Sequence, residues 1–110
     1  MLDTSELTAV VERFADRLRA APQSRLQRGA AEEGLALARE LAVRAQRAET
    51  PGAEPRVIPD AGVFAVADQL AVAGTDLAEV LRTAPSPPSL ERELDEAVRL
   101  VREALERSGL

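Results

Sequence analysis

The sequence predicts an all-α fold, an antiparallel four-helix bundle. Three observations carry that prediction. Apolar residues recur at three- and four-residue intervals in four long stretches, the spacing of one helix face. No run of strand length alternates strictly between apolar and polar residues. Two proline-rich segments, Thr50 to Pro59 and Ala84 to Pro88, divide the chain, because proline lacks an amide donor and restricts the residue before it.

The first helix is expected over 5–20. Leu7, Val10, Val11, Phe14 and Leu18 form one apolar stripe, Asp3, Thr4 or Ser5 can cap its free amides, and Glu6 suits the positive end of its dipole. Pro22 then opens a second helix over 22–49, with Leu26, Ala30, Gly34, Leu37, Leu41 and Ala45 on its seam. Gly29 and Gly34 each cost about 1 kcal/mol relative to alanine inside a helix. Gly34 nevertheless lies on the seam, where the lack of a side chain brings a neighbour close. One continuous helix is therefore the expectation.

The third helix is expected over 60–82, its seam running through Val63, Ala67, Leu70, Gly74, Leu77 and Leu81, broadened by Phe64, Val66, Val72 and Val80. A helix so apolar is normally surrounded by others, which makes it the central one. A break near Gly74 is the competing reading, with Gly74 ending one helix and Thr75 capping the next. The fourth helix is expected over 89–108. Ser89 caps it, and Leu90, Leu94, Ala97, Val98, Val101 and Leu105 make its buried face. The connections fall at 50–59 and 84–88, and 1–110 reads as a single domain.

Composition removes much chemistry. The chain has no Cys, His, Trp or Tyr, and all 14 of its basic residues are arginine. Thiol nucleophiles, thiolate metal sites, the usual general base and lysine chemistry are all absent. No cofactor or metal site is expected, and the composition argues against an enzyme more than for one. Leu, Ile, Val and Phe make up 28 of 110 residues, enough for one real core. The start MLDTSELTAV carries Asp3 where a signal peptide needs a basic region, and no apolar stretch reaches about 18 residues. A cytoplasmic protein without a membrane partner is expected.

Function is not determined by these residues, and three readings compete. The preferred one is a small helical interaction module that self-associates or binds a partner protein. Homodimerisation is its favoured form, because Val66, Val72 and Leu100 exceed what one seam requires. The second is a DNA-binding regulator with a helix-turn-helix around Gly74. An acidic chain, with Asp76 and Glu79 on the would-be recognition helix, makes nucleic acid a poor partner. The third is a ligand-binding bundle or enzyme with Asp68 in a cavity, since that acid interrupts an otherwise apolar run. On the exposed strip of its helix, Asp68 is an ordinary surface residue. A candidate anion-binding corner is formed by Arg13, Arg17, Arg25 and Arg28, in a stretch of net charge +4 between residues 13 and 28.

Overall fold

The computed structural model describes residues 2–84 and 88–110, and those residues form the expected four-helix bundle, 43 × 27 × 17 Å. The helices are α1 (Ser5–Ala20), a single turn α2 (Gln23–Arg25), α3 (Ala31–Glu49), α4 (Val66–Thr83) and α5 (Pro88–Ser108). Residues 85–87 of the expected connection 84–88 lie outside the described residues.

The apolar stripes account for the packing. Leu7, Val10, Val11, Phe14, Ala15 and Leu18 of α1 are buried. They meet Leu37, Ala38 and Leu41 of α3, Leu70, Leu77 and Leu81 of α4, and Val98 and Val101 of α5 in one core. Each fully buried large side chain, Phe14 and Leu41 among them, stabilises the fold by about 2 kcal/mol. α4 packs against α3 and α1, and α5 packs against the same two, so α4 and α5 stand across the long diagonal.

Side-chain pairs fix the helix directions. Glu33 meets Arg107 and Arg44 meets Glu93 and Glu96, so α3 and α5 are antiparallel. Arg19 meets Asp68 and Val11 abuts Gly74, so α1 and α4 are antiparallel too. Gly34 lies against Val66, whereas Ala45 shares a groove with Ala73 and Val80 further along both helices. α3 and α4 therefore run the same way. The order of directions is up, down, down, up.

A parallel neighbour requires the chain to return along the bundle, and residues 50–65 do so. α3 is about 28 Å long, well within reach of sixteen extended residues. Side chains hold this strap against the helices. Gln46 Nε2 donates to the Arg56 carbonyl at 3.1 Å, and the Arg56 amide donates back to Gln46 Oε1 at 2.8 Å. Arg39 Nε donates to the Ile58 carbonyl at 2.8 Å, and Gln69 Nε2 to that of Pro59 at 2.9 Å.

Three expectations need correcting. The second helix is not continuous over 22–49. Leu26–Ala30 form a π turn in which Gly29 takes φ 144°, ψ −16°, a backbone that a residue with a side chain rarely adopts. The third helix begins at Val66 rather than at 60, because Gly62 turns the chain at φ 94° and Asp60 Oδ1 accepts the Gly62 amide. The connection is correspondingly longer than 50–59, and Phe64 is exposed instead of broadening a helical seam. Finally, the bundle is not antiparallel throughout, because the return of residues 50–65 along the bundle sets α4 parallel to α3. The seam through Gly74 is unbroken as expected, with Gly74 buried against Val11, and the competing turn there does not form.

Candidate functional site

Where the strap lies back over α3 and α4 it leaves a groove of about 850 Å³, open along one side. Its floor is apolar and low. Ala42 and Ala45 of α3, and Val72, Ala73 and Val80 of α4, line it together with Val57 and Ile58 of the strap. Alanines keep the floor low, because a methyl group fills little of the space between two parallel helices and a strap. Val57 and Val72 are 70% and 61% exposed, and with Phe64 they are the large apolar side chains left in water among the described residues. Single exposed valines are ordinary, but two on one apolar trough form a patch.

The rim is acidic. Glu49, Glu54, Asp68, Asp76 and Glu79 border the groove, with Arg56 as the single cation among the lining residues. Asp68 is partnered by Arg19 at 2.9 Å, and Glu79 by Arg82. Glu49, Glu54 and Asp76 make no ion pair among the described residues. Gln69 stands in the wall. Its amide nitrogen holds the strap, while its Oε1 is buried without a hydrogen-bond partner.

The residues singled out in the sequence are not brought together. Asp68 is not buried: its side chain is 81% exposed, in the first turn of α4, where a carboxylate is favoured by the helix dipole. It borders the groove and engages Arg19, whose pKa is raised chiefly by that hydrogen bond. No enclosed pocket surrounds it.

The three candidate interface residues separate as well. Val66 is 2% exposed, filling the space that Gly34 leaves by having no side chain. Leu100 is half-buried and packed against the core. Only Val72 of the three is exposed, so they do not share a face. The overbroad apolar surface of the third helix reflects its burial by two neighbours.

The arginine corner is partly engaged within the fold. Arg17 Nη1 donates to the Leu110 carbonyl at 3.0 Å and Arg25 Nη2 to the Gly109 carbonyl at 2.5 Å. Both arginines thus complete the C-terminal end of α5, where carbonyls lack helical partners and cations are favoured. Arg13 and Arg28 are exposed and make no hydrogen bond or ion pair among the described residues. Two of the four cations are therefore committed to structure.

Reasoning from sequence alone overlooks the strap and its clamps. The apolar pair Val57–Ile58 inside a proline-rich connection is the signal that this segment touches the bundle, and no sequence feature marks Gln46 or Gln69 as its holders. Among the described residues no cluster of three or more acids is placed to hold a metal ion, and no helix is long and apolar enough to cross a membrane. No protein-family profile, curated protein or solved structure matches this chain.

Proposed function

We propose that the protein is a small helical interaction module that docks a partner protein on the groove between α3, α4 and the strap. The observation that carries this reading is the coincidence of exposed Val57 and Val72 with a continuous apolar floor of small residues. Burying that floor against another protein gains about 25 cal/mol per Å² of apolar surface removed from water. It also requires little rearrangement, since the strap is already held by Gln46, Arg39 and Gln69. Self-association through Val66, Val72 and Leu100 loses support, because two of the three are taken up by the core. The DNA-binding alternative loses the turn at Gly74 on which it depends.

The test is site-specific photo-crosslinking in cells that make the protein. One probe replaces Val72 in the groove and another replaces Asp95, exposed on α5 away from it. Discrete adducts from position 72 and not from position 95 support the docking face. Equal labelling from both positions, or none from position 72, overturns it.

A further inference from the structure

We infer that the occupant of the groove is a basic amphipathic helix of another protein, about three turns long. This assignment rests on the groove being the docking face. Three observations select the occupant: the charge of the rim, the shape of the floor, and the engagement of this chain's own basic helices.

The groove is bordered by acids in excess of bases. Its lining holds five carboxylates and one arginine, and with Arg19 and Arg82 paired to Asp68 and Glu79 the rim keeps a net charge of −2. Glu49, Glu54 and Asp76 have no ion pair among the described residues, so cations from outside find carboxylates without a partner there beside an apolar surface. Arginine and lysine carry apolar stems that suit such a border. Acidic peptides and nucleic acid are repelled by it.

The shape favours a helix. Along α4 the groove runs from Asp68 to Val80, about 18 Å at the rise of an α-helix. About twelve helical residues match that length, with apolar anchors at i, i+3 or i+4, and i+7 against the alanine floor. An extended peptide usually adds to a sheet edge, and the described residues contain no strand. A small molecule is normally enclosed on most of its surface, whereas this groove is open along its side.

A second copy of the chain is a poor occupant. Three of the four arginines of α5 are engaged, Arg99 with Glu103, Arg102 with Glu6 and Arg107 with Glu33, and Arg92 makes no ion pair among the described residues. On α1, Arg17 and Arg19 are engaged as well, and the apolar faces of both helices lie in the core. Among the described residues, neither α1 nor α5 has an apolar face free to leave the core.

The probe is an end-blocked peptide of about twelve residues, leucine and arginine in helical register with one tryptophan. This protein contains no Trp or Tyr, so the peptide's fluorescence anisotropy is read without background. Saturable binding is expected, weakening as salt rises. Val72→Glu and Asp76→Arg are each expected to weaken it about tenfold, while Asp95→Arg, the same charge change away from the groove, leaves it unchanged. Val72 and Asp76 are exposed, and circular dichroism melting checks that both variants keep the fold.

Equal weakening by Asp76→Arg and Asp95→Arg would mean diffuse attraction to an acidic protein, and would overturn the assignment. So would absence of binding, tight binding of the same peptide with glutamate in place of arginine, or a wild-type homodimer that Val72→Glu dissociates. If position 72 crosslinks to a partner while the peptide does not bind, the docking face stands and its basic occupant falls. If neither occurs, both fall.

Discussion

Val11 closes on Gly74 so tightly that a Cβ atom at position 74 would stand 2.6 Å from Val11 Cγ1 and 2.9 Å from Cγ2. The contact brings α1 close against α4, and it reverses a familiar expectation. In an unobstructed helix interior, Gly→Ala stabilises by about 1 kcal/mol. Here the added methyl meets a β-branched side chain that cannot swing away. Gly74→Ala is expected to destabilise by about 1–2 kcal/mol in denaturant unfolding, and Val11→Ala in the same chain to recover part of that loss. A stabilised single variant would show that the helices stand further apart.

Gly29 is constrained by its backbone. Nothing lies within 4 Å of a Cβ built there, yet φ 144° is disfavoured for any side chain. Gly29→Ala should cost about 1–3 kcal/mol by strain alone, with no rescue from trimming neighbours. A melting temperature equal to that of the wild type would mean that the kink straightens.

Arg44 is the ion-pair centre of the α3–α5 contact, reaching Glu40 at 2.7 Å, Glu93 at 3.3 Å and Glu96 at 3.2 Å. Burial works against its charge, but bonds to Glu96 and Glu40 outweigh that and hold its pKa above the ordinary arginine value. Because the carboxylates are nearly half-exposed, Arg44→Met should cost only about 1 kcal/mol. The deficit should shrink in high salt, as measured by urea unfolding at two ionic strengths.

Gln46 should govern the strap more than the bundle. Gln46→Leu removes both bonds to Arg56 and leaves the apolar core intact. Amide exchange at Arg56 should quicken about tenfold, with about 1 kcal/mol lost overall. Unchanged exchange at Arg56 would mean that the strap is held by other contacts.

The start of α1 should respond to acid. Asp3 accepts hydrogen bonds from the side chain and amide of Ser5, which lower its pKa below the ordinary aspartate value. The charged form is therefore favoured by folding. Its contribution is present above the unfolded value and is lost as pH falls through the lowered one. NMR amide shifts of Ser5 to Leu7 should move in that window, and Asp3→Asn should abolish the movement.

How much of this was legible depended on what each segment touches. α1 and α5 follow from periodicity and punctuation, since each buries one simple stripe and ends at proline or glycine. The start of α4 is not readable from spacing, because Ala61 to Val66 is apolar enough to imitate a helix face, while the Gly62 turn depends on local backbone geometry. Val66 looked surplus to its seam only because its counterpart is a missing side chain, that of Gly34 on another helix. The groove was not legible at all: it exists because α3 and α4 are parallel, and residue spacing within one helix carries no information about the direction of its neighbour.

The strap also determines how the two halves of the molecule are kept in company. α3 and α4 share the most extensive helix contact, yet only residues 50–65 tether them directly. A tether of that length keeps one half at an effective concentration of order millimolar around the other. A single peptide-bond cleavage between Pro51 and Asp60 would convert the pairing of α1–α3 with α4–α5 into a bimolecular equilibrium. The integrity of the bundle would then depend on dilution.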